Sequence, residues 1–92
     1  MTDTSQPFSL HQVFSIDGWN KAKNMVSDHD RVLFLQDACY LLQQPVLSKS
    51  DHLYGRHIDS KARNISPYVG IELIDDEQWL ELAEHAKNIL SW

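Results

Sequence analysis

The run Val32-Leu33-Phe34-Leu35, closed by Gln36-Asp37, places four apolar residues in succession with no alternation. A strand with one face in water alternates polar and apolar residues, because successive side chains point to opposite faces. This run does not, so it predicts a strand covered on both sides, as at the centre of a parallel sheet between helices. Asp37 then falls at the carboxyl end of that strand, where open α/β sheets present loops to ligands and partners.

The chain has 92 residues, enough for one small domain. Such a domain hides only roughly 60–65% of its unfolded surface, so its stability margin is thin and an open sheet edge favours a partner. The formal charge of −5 argues against direct binding to nucleic acid or an anionic membrane, both of which need a basic face. No apolar run approaches the roughly 20 residues that span a bilayer. The opening MTDTSQP is polar and reads as a leader over residues 1–7, not as a secretory signal. Cys39 stands alone and cannot form an internal disulfide, which fits a reducing compartment and a cytoplasmic protein.

Along residues 8–92 the pattern alternates between strand and helix. Phe8–Val13 reads as a strand with Phe8, Leu10 and Val13 inward. Asp17-Gly18 opens a helix to Val26, with Trp19, Ala22 and Val26 on one face. After the central strand, Ala38–Leu42 reads as a short helical piece that Pro45 stops. His52–Gly55 is a third strand, Asp59 caps a brief helix through Arg63, and Val69–Ile74 is a fourth strand. A last helix starts at an Asp75 or Asp76 cap and carries Trp79, Leu82, Ala83, Ala86, Ile89 and Leu90 as its apolar stripe. The expected fold is α/β, with about four parallel strands and helices on both faces in three layers.

Candidate chemistry is sparse. Asp37 resembles the phospho-accepting aspartate of response-regulator receivers, but His11-Gln12 and Asp75-Asp76 supply neither the acidic pair nor the lysine that this chemistry needs. A cap or loop hydrogen bond suits Asp37 better. Cys39 lies in the first turn of a helical piece, where a thiol pKa can fall, yet nearby Asp37 opposes that shift. The histidines at 11, 29, 52, 57 and 85 show no i, i+4 pair and no CxxC partner, so no metal site is expected. No Gly-rich phosphate loop is present, and no cofactor is expected. Glu72 interrupts the apolar GIELI strand and Trp92 lies beyond the helix stripe, which suggests a protein partner. The competing reading sends Glu72 to solvent and folds Trp92 onto its own core. His85, four residues after Glu81, fits a surface ion pair or an interface contact.

Leu10–Val13 (LHQV), Val32–Asp37 (VLFLQD), Leu53–Gly55 with Asp59, Ala62 and Arg63, Glu72–Asp75 (ELID), and the ending His85, Ser91 and Trp92 occur in an order and spacing that resemble the TusB/DsrH family. The resemblance implies a small flavodoxin-like subunit of a heterohexameric sulfur-relay complex, two copies each of three DsrE-like chains. Its partners would be two related subunits of TusC/TusD or DsrF/DsrE type, with sulfur-carrier proteins reached through the complex. The complex would pass persulfide sulfur toward 2-thiolation of the tRNA wobble uridine, or serve dissimilatory sulfur metabolism. Ala38 replaces the glycine usual after Gln-Asp, and Cys39 replaces an apolar residue. Some members carry a cysteine in the first helix, but Asp17–Val26 has none, so no catalytic residue is carried over.

The expected role is therefore a non-catalytic subunit, with Glu72, His85 and Trp92 at a partner interface and Asp37 as a structural cap or loop residue. The alternatives are Cys39 as a persulfide carrier, or a stand-alone binding module.

Overall fold

The computed structural model describes residues 7–92. All of the expected leader except Pro7 lies outside the described residues. The elements are β1 (Ser9–Val13), α1 (Ile16–Ala22), β2 (Arg31–Phe34), a 3-10 segment (Gln36–Gln43), β3 (Leu53–Arg56), α2 (His57–Ala62), β4 (Glu72–Ile74), α3 (Asp76–His85) and β5 (Asn88–Ser91). The strands form one sheet in the order β4-β3-β2-β1-β5, and every pairing is parallel. The α/β class and the all-parallel sheet expected from the sequence are thus present.

β2 is the central strand, as its composition demands. Val32, Leu33 and Phe34 are 0% exposed and Leu35 is 1% exposed. The strand divides its side chains between two cores. Val32 and Phe34 join Val13, Trp19, Ala22, Val26, Cys39 and Leu42 on one face. Leu33 and Leu35 join Phe8, Leu10 and Ile74 on the other.

The two faces are covered unequally, and chain connectivity explains why. The steps from β1 to β2, β3 and β4 all run the same way across the sheet. Right-handed crossovers place those three connections on one face. The return from β4 to the far edge at β5 runs the opposite way, so the same handedness sends α3 alone to the other face. The contacts follow: α1 and the 3-10 segment pack on the first face, and Trp79, Leu82, Ala83 and Ala86 pack on the second. A helix is about 10 Å wide, whereas five strands extend about 19 Å from first to last. One helix therefore roofs only about half of its face, and no residue of α3 is fully buried.

Several expected boundaries move. The clearest correction is the last helix, which stops at His85 and does not run on to Leu90. Ala86 leaves the helix with extended backbone, and Asn88–Ser91 adds a fifth strand beside β1. The physical reason is the open edge of β1. Lys87 N–H donates to Phe8 O, Trp92 N–H to Gln12 O, and Phe14 N–H to Trp92 O, at 2.8–2.9 Å. Backbone pairing on a free edge outweighs the helical spacing of Ala86, Ile89 and Leu90.

The first helix ends at Ala22, short of Val26, which is nonetheless buried. Asp59 does not cap α2, which begins two residues earlier at His57. Its carboxylate instead accepts the Gln36 amide at 2.9 Å, at a position where Gln36 holds a φ of +50°. β4 begins at Glu72 because Gly70 turns the chain with a φ of +94°.

Phe34 meets Trp19 edge-on at a ring separation of 5.2 Å in the better-covered core. Phe34→Ala is expected to destabilise the chain by about 3–5 kcal/mol, read as a lower midpoint in urea unfolding followed by tryptophan fluorescence.

Candidate functional site

The carboxyl ends of the strands, where α/β sheets commonly present loops to ligands and partners, are occupied by the chain's own ion pairs. Arg56 grips Asp76 through Nε and Nη2 at 2.8 and 2.9 Å, and its Nη1 lies 3.4 Å from Asp59. The Asp76 carboxylate holds the Arg56 guanidinium pKa above its ordinary range, and Arg56 in turn holds the Asp76 carboxyl low. Arg56 also stacks over Trp79, with 5.4 Å to the ring centroid. Asp37 pairs with Arg63 at 3.1 Å and is largely exposed.

Cys39 sits directly beneath this end, in the 3-10 segment, and is 0% exposed. Its thiol donates to Phe34 O at 3.4 Å. Burial is the largest influence on its pKa and pushes it up, and the Asp59 charge adds a smaller push in the same direction. A thiol held protonated and out of water is a poor nucleophile.

Trp92 folds back onto its own sheet. Its ring stacks on His11 with centroids 6.2 Å apart, and its indole N–H donates to His11 Nδ1 at 3.2 Å. An indole nitrogen can only donate, so Nδ1 accepts and Nε2–H is left to donate to Asp30 at 3.0 Å. Asp30 also accepts the amides of Ser9 and Ser27 and the Ser27 hydroxyl. Burial alone raises its pKa, but these bonds together outweigh burial and hold the carboxyl below its ordinary value. Gly18 makes room for the returning chain: a Cβ there would stand 2.7 Å from the Trp92 carbonyl.

Glu72 and His85 come together on the half-roofed face, away from Trp92 and Cys39. Both line a cavity of about 360 Å³ between α3 and the amino ends of β2, β3 and β4. Glu72 and Ile74 reach it from the edge strand β4, and Gln78, Glu81, Leu82 and His85 reach it from α3. The helix residues follow the i, i+3, i+4, i+7 spacing of one face. Phe8, Arg31 and Tyr54 complete the lining. The structure thus joins two of the three expected interface residues and leaves the third on the opposite face. Arg31 escaped notice because, at the start of an apolar run, it read only as that run's polar boundary.

A family model described as DsrH like protein matches residues 14–89. The chain belongs to the DsrH-like family. A search of curated proteins yields no match. Membership supports a sulfur-relay subunit as the general role of this DsrH-like chain. No helix among its described residues is long and apolar enough to cross a membrane, and no group of three metal-ligating side chains occurs among them.

The Asp30 array in this DsrH-like chain has a pH signature. Its folded pKa lies below its unfolded value near 3.8, so its contribution to stability is complete above that value and is lost as pH falls through the folded pKa. Asp30→Asn is expected to lower stability at pH 7 and flatten the decline below about pH 4, measured as urea midpoints across pH 2–7.

Proposed function

We propose that this chain is a non-catalytic, cytoplasmic subunit of a sulfur-relay complex, with one domain over residues 8–92 that binds two related DsrE-like subunits. The complex passes persulfide sulfur from carrier to carrier, toward 2-thiolation of the tRNA wobble uridine or a related dissimilatory pathway. The observation that carries this reading is the state of Cys39. A relay subunit that handles sulfur itself needs an accessible thiolate, and the chain's single cysteine is fully enclosed with its pKa raised. The persulfide therefore belongs on a neighbour.

The surface fits a docking role. α3 leaves its sheet face half covered, its outward Leu80 is 60% exposed, and the outer edge of β4 pairs with no further strand among the described residues. Open edges and exposed apolar side chains on a small domain are features that a partner chain covers. Glu72 and His85 stand on this side and are assigned to the partner interface. Trp92 is assigned to it less directly, as a half-buried ring that orders the opposite edge strand.

Co-expression with two DsrE-like chains, followed by size-exclusion chromatography, tests the docking role. Co-elution of all three chains is expected, and the combined Glu72→Lys and His85→Glu substitutions should weaken it by at least about tenfold in affinity. A chain that is folded and monomeric alone and binds neither partner overturns the role. Loss of 2-thiouridine from wobble positions on deletion of this chain, read by mass spectrometry of tRNA nucleosides, assigns the pathway. Thiouridine unchanged by the deletion points to dissimilatory sulfur metabolism.

The thiol makes a separate prediction. Incubation of the native chain with a cysteine desulfurase and its sulfur donor should add no sulfur-sized mass, and iodoacetamide should label Cys39 only after unfolding. A mass gain that disappears in Cys39→Ser would make this chain a carrier itself.

A further inference from the structure

The cavity beside α3 has a charge pattern that a docking role does not explain. Arg31 borders it with a guanidinium that no carboxylate among the described residues pairs with. Its Nη1 reaches the Tyr54 hydroxyl at 3.4 Å, and its Nε is buried with no hydrogen-bond partner among the described residues. The group lies 4.5 Å from the centroid of the Phe8 ring. No ion pair joins it to a carboxylate among the described residues, whereas Arg56 and Arg63 both have such pairs. An arginine stays charged at every physiological pH. One half-buried without a counter-charge creates a demand for an anionic oxygen.

Glu72 and Glu81 line the same cavity, and both are exposed. A dianion such as sulfate would meet two carboxylates as well as a chain of net charge −5, and repulsion disfavours it. A molecule carrying both charges satisfies each side at once. Phe8, Ile74 and Leu82 supply apolar wall for a side chain, and a volume near 360 Å³ lies within the range of small-molecule sites.

We propose that this cavity binds a small zwitterion of the α-amino-acid type, its carboxylate on Arg31 and Tyr54 and its ammonium group toward Glu72 and Glu81. The site is defined by its own charges and does not depend on the docking role. A partner resting on Glu72 and His85 would close over the bound molecule.

Amide chemical-shift titrations of the full chain test the site with three probes: L-leucine, 4-methylpentanoate (the same skeleton without its ammonium group) and sodium sulfate. L-leucine should bind with a Kd on the order of 1 mM or tighter, shifting residues that line the cavity. The deaminated analogue should bind about tenfold more weakly, and sulfate should not bind measurably. Arg31→Gln should weaken L-leucine about tenfold or more, with circular dichroism confirming the fold. Glu72→Gln lies on the exposed edge strand and should weaken L-leucine while leaving 4-methylpentanoate unchanged, so it carries the test if the Arg31 variant fails to fold. The proposal is overturned if none of the three probes binds, if sulfate binds as well as L-leucine, if removing the ammonium group costs nothing, or if neither substitution matters. Failure of the docking role would instead appear as absent co-elution with these titrations unaffected.

Discussion

The handedness of the parallel crossover governs most of what is distinctive in this molecule. Three successive steps in one direction stack α1, the 3-10 segment and α2 over a single face, and the one return step leaves α3 alone on the other. A sheet of five strands under one helix cannot be sealed. The exposed edge of β4, the absence of fully buried residues in α3 and the cavity at the amino ends of the strands all follow from that imbalance.

The opposite edge is closed by different physics. β5 has little apolar anchorage of its own, since three of its four residues are exposed. Backbone pairing with β1 places it there, and Trp92 fastens it through His11 to Asp30. Asp30 gathers its donors from the start of β1 and from the turn before β2, and the Ser50 hydroxyl binds its backbone carbonyl. One buried carboxylate therefore connects segments distant in the chain. Buried polar networks of this kind specify one arrangement when their members are satisfied, and Asp30 accepts from Ser9, Ser27 and His11.

The division of labour between faces bears on function. The carboxyl ends of the strands are common places for ligand chemistry in α/β sheets, but here Arg56 and Arg63 are both paired with carboxylates of Asp59, Asp76 and Asp37, and Cys39 lies sealed below. Arg31, which has no ion pair among the described residues, lies at the other end. In this DsrH-like chain the single cysteine lies sealed beneath one end of the sheet, and the cavity opens at the other.

Much of the architecture was legible in advance. Four unbroken apolar residues at 32–35 demanded a doubly covered strand, and an Asp75 or Asp76 cap marked the start of α3, where the structure shows Asp75 as the cap and adds Gln78 as the second half of a capping box. Glu72 was legible as a polar residue on an otherwise apolar strand. The end of α3 was not, because Ala86, Ile89 and Leu90 satisfy helical spacing whether or not a free strand edge waits beside them. Arg31 was not legible either, since its lack of a counter-charge is a property of its neighbours in space. Local pattern and covalent stiffness thus determined the element types, the central strand and the α/β class from sequence alone. Only the tertiary structure decided the fifth strand, the fate of Trp92 and the charge balance of the cavity, because each depends on groups far apart in the chain competing for the same backbone edge or the same charge.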